Sequence, residues 1–449
     1  MYSVSHSGRI DKNLKQYVLS TYKSHFLSMF NMGSIISICG SDTKKTNVDN
    51  VSPIISIKNE SKDQKNVENP VVRFFMAGLG SAGKTTVIRQ LQLLASTSSK
   101  KYSMYDEDWN EYDPDKWKKD FEKNVIWKNI IRKNILDTFN IIIKYNESEN
   151  IEYDTEDNFN FAMDLSESLD EDEDYEYIRE NETQFLNSLI MLFEDSYFTN
   201  AFKHKNKIKM EGKKLFDGCD HFMKKEKIIE VFSDNYIPTE DDKVRSRYPT
   251  QDMRTYRFKM FDTKIEINDI GGQKSERSKV GEFVKHWSLQ GNNDSRNFIL
   301  LVVGMSDYNE KHDEYEGTLL DECLEYMKNL LSNPYASKCG LLIFFNKRDK
   351  FLEKLKDADC RDDVKYLKPY LDRTVYNEYK NTGNFKEEDM HKAIASKFAE
   401  IINSNKIKRE RDTYCRFTCA IDKVMMESIF GTVYHELLKN KTGEEELFP

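Results

Sequence analysis

Gly78-Leu79-Gly80-Ser81-Ala82-Gly83-Lys84-Thr85 is a complete Gly-x-x-x-x-Gly-Lys-Thr loop. It lies between the apolar run VVRFFMA and the amphipathic run TVIRQLQLL, the strand-before, helix-after context that a phosphate-binding loop requires. Its glycines let successive backbone N–H groups turn towards phosphate oxygens, and the N-terminus of the following helix adds a favourable dipole. Lys84 is placed to neutralise the β- and γ-phosphates and the Thr85 hydroxyl to ligate Mg²⁺. Gly80, Ser81, Ala82, Gly83 and Thr86 complete the cradle.

Such a loop does not distinguish ATP from GTP, but Asn346-Lys347-Arg348-Asp349, directly after the apolar run CGLLIFF, does. The two carboxylate oxygens of Asp349 match the paired N1–H and N2–H donors of guanine. Adenine has no such pair and would leave the carboxylate unpartnered, a mismatch that discriminates strongly. The stem of Lys347 can cover one face of the base. Asp269-Ile270-Gly271-Gly272-Gln273 closes the run KIEIN and suits a third nucleotide-contacting loop. There Asp269 would hold the water shell of the metal, Gly271 and Gly272 would leave backbone room for the γ-phosphate, and Gln273 would orient an attacking water.

These loops need a frame. Apolar, β-rich runs recur at VVRFFMAG, RTYRFKMF, KIEIND, NFILLVVG, CGLLIFFN and CRFTCAI, with helical patterns in most of the gaps, which predicts an α/β fold on a largely parallel sheet. One gap is anomalous: from Ala95 to Tyr256 no strong strand is evident. Trp127, Ile131, Ile135, Phe139 and Ile142 recur there at helical spacing, and Phe185, Leu189, Leu192 and Phe193 suggest a second helix. The acidic tract from Glu147 to Glu182 reads as a solvated insertion, and its Asp170–Asp174 core lacks the glycine and spacing of a calcium loop. The whole gap reads as a separate helical domain. The expected organisation is a tail over 1–70, a first nucleotide-domain segment over 71–98, the helical insertion over 99–238 and the rest of the nucleotide domain over 239–449.

The chain has 449 residues and a net charge of -9, which argues against general nucleic-acid binding. No apolar run of about 18 residues is present, so no membrane span is expected. Seven scattered cysteines without a CxxC pair fit free thiols of a cytoplasmic protein. Met32-Gly33-Ser34-Ile35-Ile36-Ser37 fits the N-myristoylation pattern if Gly33 becomes the mature N-terminus, and Cys39 follows as a palmitoylation candidate. Two such signals give stable peripheral anchoring.

From Val71 to Phe448 the sequence resembles heterotrimeric G-protein α subunits. The three loops stand in GTPase order, FKMFDTKIEINDIGGQKSER resembles the family's second switch, NYIPTEDDKVRSRYPT its linker and first switch, EDSYF its inter-domain Asp-Ser contact, and FTCAID its guanine loop. The resemblance implies a Ras-like domain with a six-stranded, mostly parallel sheet and an inserted all-α domain. It implies GTP hydrolysis to GDP, with Arg247 as the catalytic arginine beside Gln273, and Thr250 as the second protein ligand of Mg²⁺ after Thr85. It places Val244 and Arg245 on the ribose–phosphate side, Asp195 and Ser196 at the nucleotide from the helical domain, and Cys419 and Ala420 beside the guanine. It also implies a βγ dimer, a G-protein-coupled receptor, a regulator of G-protein signalling and an effector as partners, at the cytoplasmic face of the plasma membrane.

Several positions depart from the family pattern. Ser81 stands where a glutamate usually pairs with the catalytic arginine. Pro249 replaces a lysine in the first switch, Val280 a tryptophan after the second, and Ile421 the second threonine of the guanine loop. Residues 40–70 make a poor amphipathic helix, and a polar tract lies near Gln290–Asn297. Two alternatives follow: a self-activating α-type GTPase without βγ or receptor, and a scaffold that binds nucleotide without hydrolysis. The glutamate at position 446 removes the cysteine that a pertussis-type toxin would modify.

Overall fold

The computed structural model describes residues 71–98, 100–113, 124–171, 182–248, 254–269, 280–290, 296–311 and 315–439. Its strands are β1 (Val72–Ala77), β2 (Tyr102–Tyr105), β3 (Lys209–Met210), β4 (Lys213–Lys214), β5 (Arg254–Met260), β6 (Thr263–Asp269), β7 (Arg296–Gly304), β8 (Gly340–Asn346) and β9 (Thr413–Phe417). Seven of them form one sheet in the order β2-β5-β6-β1-β7-β8-β9. Pairing is parallel from β6 through β9 and antiparallel at β2–β5 and β5–β6.

Side-chain alternation along the central strands divides two cores. Phe75, Ile299, Leu301, Ile343 and Phe345 face one side, whereas Phe74, Met76, Leu300, Val302 and Phe344 face the other. This is the period-two pattern of a sheet covered on both faces. The second face is covered by α1 (Lys84–Thr97) through Val87, Leu91 and Leu94.

Helices α2 (Asn124–Glu149), α3 (Glu156–Glu171), α4 (Glu182–Glu194), α5 (Ser196–Lys203), α6 (Cys219–Phe222) and α7 (Lys225–Phe232) supply a third core of their own. Ile131, Ile135, Phe139 and Ile142 of α2 are fully buried in it, as their spacing predicts. A short helix, α8 (Glu240–Arg245), then leads back towards the sheet. The first face of the sheet is covered by α9 (Val280–Gln290), α10 (Leu319–Leu331), α11 (Arg348–Lys356) and α12 (Glu387–Ser404). α13 (Lys423–Val433) returns to the second face and buries Met426, Ile429, Phe430 and Val433, the positions expected to face the core.

Two expectations are corrected. The sheet has seven strands, because β2 lies within the stretch expected to be helical. Tyr102 is buried opposite Met260, its ring centroid is 5.7 Å from that of Phe261, and the Phe261 N–H donates to the Lys101 carbonyl at 2.6 Å. The acidic tract is not all solvated chain: α3 lies within it and sends Ala162 and Leu165 into the helical core while Glu156, Asp157, Asp164 and Glu167 are exposed. Val280 is buried against the sheet at the start of α9, so valine here fills core volume.

Candidate functional site

Parallel pairing brings the C-terminal ends of β1, β6 and β8 to one border of the sheet, where ligands of open α/β sheets bind. β1 ends at Ala77, and the chain then needs backbone that only glycine adopts freely. Gly78 has φ +133° and a Cβ there would lie 2.3 Å from the Val302 carbonyl oxygen. Gly83 has φ +99°, and its added Cβ would meet Asn346 Nδ2 at 2.3 Å. Lys84, the first residue of α1, arches back so that its Nζ donates to the carbonyls of Gly78 (2.9 Å) and Leu79 (3.0 Å). The Thr85 hydroxyl donates to Asp269 Oδ2 at 3.3 Å, joining the loop to the end of β6.

Asn346, at the end of β8, spends its amide on holding three loops together. Nδ2 donates to the Ala82 carbonyl at 2.9 Å, and Oδ1 accepts from Thr418 Oγ1 (3.1 Å) and from the Ala420 N–H (2.9 Å). Gly83→Ala is therefore expected to weaken nucleotide binding about tenfold or more, since it strains the loop and displaces this amide. Titration with a fluorescent GDP analogue reads the effect, and an unchanged affinity would show that Asn346 moves aside without cost.

Lys347 follows in the left-handed region at φ +60°. Its ammonium lies 2.8 Å from Asp217 Oδ2 and 3.3 Å from Asp307 Oδ1. Burial opposes its charge, but the two carboxylates outweigh that and raise its pKa. The exposed Asp349 lies beside the Cys419 thiol, which burial and this carboxylate together push up to about 12.

The first-switch approach is built on Asp242 of α8. This fully buried carboxylate accepts from the Tyr236 hydroxyl and the Thr239 N–H, both at 2.9 Å, and lies 2.6 Å from His221 Nε2 and 2.8 Å from Lys227 Nζ. Val244 is buried, Arg245 Nε donates to Asp241 Oδ1 at 2.9 Å, and Arg247 projects into solvent. Residues 80–86, 244–248, 346–347, Asp349 and 420–421 together line a cavity of about 270 Å³.

The chain matches the family model described as "G-protein alpha subunit" over residues 45–437. It belongs to that family. Among similar proteins, the "Guanine nucleotide-binding protein alpha-6 subunit" of Dictyostelium discoideum is 24% identical over 86% of this chain and 94% of the relative. The "Guanine nucleotide-binding protein G(o) subunit alpha" of Caenorhabditis elegans is 21% identical over 82% of this chain and 88% of its own length. A Trichomonas vaginalis protein, "Guanine nucleotide-binding protein subunit alpha-1", is 27% identical over 65% of this chain and 62% of its own length. The chain is thus a divergent alpha subunit, a GTP-binding GTPase with a Ras-like domain and a helical domain.

In this alpha subunit the helical side reaches the cavity through Asp217 and Gly218, not through Asp195 and Ser196. Asp195 is buried as the N-cap of α5: its Oδ1 accepts from the Tyr197 N–H at 3.0 Å, and its Oδ2 from Asn158 Nδ2 at 2.8 Å and the Asp154 N–H at 3.0 Å. Ser196 donates its N–H to Asp154 at 2.7 Å. An Asp-Ser pair after a helix is also a capping signature, and capping is its role here. The Asp-Gly turn signal at 217–218, after Leu215-Phe216, marks the loop that does face the cavity. Burial works against ionisation of Asp217, but Lys347 and Lys214 prevail and hold its carboxyl far below the usual carboxylate range. Ion pairs continue outwards from it, from Asp220 to Lys350 at 2.5 Å, Lys205 to Glu353 at 2.9 Å and Lys207 to Asp363 at 2.6 Å.

Cys419 is set back from the cavity, and Ile421 lines it beside Ala420. Asp269 lies fully buried behind Thr85. The Thr85 hydroxyl and the Asp269 carboxylate are hard oxygen donors on adjacent loops, a set that suits Mg²⁺. Thr250, Gly271, Gly272 and Gln273 lie outside the described residues, as do Gly33 and Cys39. Among the described residues no cluster of three or more His, Cys, Asp or Glu side chains could hold a metal, and no helix is long and apolar enough to cross a membrane.

Proposed function

We propose that this alpha subunit is a Mg²⁺-dependent switch downstream of a receptor, hydrolysing GTP in the cavity just described. The observation that carries this is the convergence of the phosphate loop, the first-switch approach and Asp349 on one cavity. The guanine base pairs with the Asp349 carboxylate, and the phosphates lie along Gly80–Thr86 under the N-terminus of α1. Lys84 neutralises phosphate oxygens, Gln273 orients the attacking water, and Arg247 stabilises the charge that grows as the γ-phosphoryl leaves. Thr85 and Thr250 would hold the metal, with Asp269 ordering its water shell. When bound, Mg²⁺ supplies positive charge at the β- and γ-phosphate oxygens. Loss of the γ-phosphate removes contacts to Thr250 and Gly272 and relaxes both switches.

The test is hydrolysis by preloaded protein. GTP should turn over in Mg²⁺ and stop in a chelator, while adenine nucleotides should fail to compete. Equal competition by ATP would refute the reading.

The same reading takes the βγ dimer, a regulator of G-protein signalling and an effector as partners. It places acylated Gly33 and Cys39 at the cytoplasmic face of the plasma membrane. Capture with GDP, compared with GDP–AlF₄⁻, separates the partners, and a mass spectrum of the mature N-terminus reads the acylation. A second reading, spontaneous exchange without receptor, is favoured by Ser81, which offers Arg247 no carboxylate. The ion pairs beside Asp217 favour slow release instead. GDP dissociation from isolated protein decides: fast release selects the second reading, slow release the first.

A further inference from the structure

The peptide of Arg247 is gripped by one side chain. Asn134, on α2 of the helical domain, donates from Nδ2 to the Arg247 carbonyl at 3.0 Å, and its Oδ1 accepts from the Arg247 N–H at 2.7 Å. A single primary amide thus satisfies both backbone polar groups of one residue, as a neighbouring strand would. Asn134 is 6% exposed and does not line the cavity, whereas Arg247 does.

The opposite side of the same segment is held from α1. Buried Arg89 donates through Nη1 to the carbonyls of Lys243 (3.0 Å) and Ser246 (3.1 Å). Its guanidinium lies 5.0 Å from the ring centroid of Trp127, itself 6.3 Å from the Tyr248 ring. Residues 243–247 are therefore fixed between the phosphate-loop helix and the helical domain, and Asn134 acts on the residue whose side chain must reach the γ-phosphate.

We infer that Asn134 is a positioning residue for GTP hydrolysis, setting the backbone from which Arg247 extends. The inference rests on the proposed catalytic role of Arg247. A group that sets the backbone of a catalytic side chain changes rate through geometry without touching the reacting atoms. Because it makes no ligand contact, it should leave affinity unaltered.

The full chain is preloaded with GTP and hydrolysis is followed in a single turnover, per mole of bound nucleotide, so that unfolded protein does not count. Asn134→Ala, with Asn134→Ser as a second variant, should slow hydrolysis about tenfold to hundredfold while the affinity for a slowly hydrolysed GTP analogue stays the same. In an Arg247→Ala background, Asn134→Ala should add no further loss, since both changes remove one function. An undiminished rate in Asn134→Ala, an equal further loss in the Arg247→Ala background, or a parallel fall in affinity would each overturn the positioning role. If Arg247→Ala itself hydrolyses GTP normally, the catalytic reading of Arg247 fails and this inference falls with it. That result is distinct from a slow Arg247→Ala beside a normal Asn134→Ala.

Discussion

Asp349→Asn is expected to reverse the base preference of the cavity. The carboxylate offers two acceptors to guanine N1–H and N2–H, whereas an amide keeps one acceptor and presents a donor to the guanine amino group. Leaving donors and acceptors mismatched in a site built for hydrogen bonding costs about 10⁴-fold in discrimination. Xanthine carries a carbonyl where guanine has the amino group, so it matches the amide: N1–H to Oδ1, and Nδ2–H to the xanthine oxygen. XTP should therefore displace a fluorescent guanine nucleotide from the variant better than GTP does. The fold should survive. Asp349 is exposed in the first turn of α11, and the joining of the loops is done by Asn346. The local cost is a few tenths of a kcal/mol up to about 1 kcal/mol of helix-terminus charge. A variant that still prefers GTP to XTP would remove Asp349 from the base-reading role.

Arg247→Ala should slow single-turnover GTP hydrolysis by about 10³-fold, a general figure for arginines in switch GTPases of this kind rather than one read from this cavity. Arg247 projects into solvent at the cavity wall, so its charge counts chiefly when negative charge develops on the phosphoryl oxygens. Binding of GDP and GTP should change little, which makes this a loss in rate rather than in affinity. Arg247→Lys should recover only part of the rate, because an ammonium lacks the planar fork that meets two oxygens at once. A phosphate-release assay on preloaded protein reads the two rates, and titration with a fluorescent guanine nucleotide reads the binding. Hydrolysis by Arg247→Ala at the unaltered rate would move the catalytic charge to another residue.

The six longer strands of the sheet were legible because each is an apolar run bounded by loop residues, and the phosphate and base loops because Gly83, Lys84 and Asp349 stand in motifs at strand ends. β2 was not legible. Tyr-Ser-Met-Tyr offers no apolar run, and it becomes a strand only because β5 is there to pair with it and Phe261 to pack on Tyr102. The helical contact was misassigned for a related reason. Asp195-Ser196 and Asp217-Gly218 are both short polar signals, and only the three-dimensional course of the chain decides which one caps a helix and which one meets Lys347. α3 was hidden by its acids, which interrupt an inward face whose only fully buried apolar side chains are Ala162 and Leu165, flanked by the half-buried Phe161, Met163 and Leu169. Asn134 gave no signal at all, since its role is a contact with a backbone 113 positions away in the chain.

β2 also has a consequence for how other proteins can engage this molecule. A strand that ends a sheet ordinarily offers a row of free main-chain donors and acceptors, a template onto which an extended ligand can add itself. Beside β5 that template is already occupied from within the chain. Beyond it, residues 111–112 fold back, with Tyr105 bridged to Glu111 and the Tyr112 N–H donating to the Met104 carbonyl at 2.9 Å. A binding peptide would have to displace this self-supplied cover, so recognition at this flank must rely on side chains and shape.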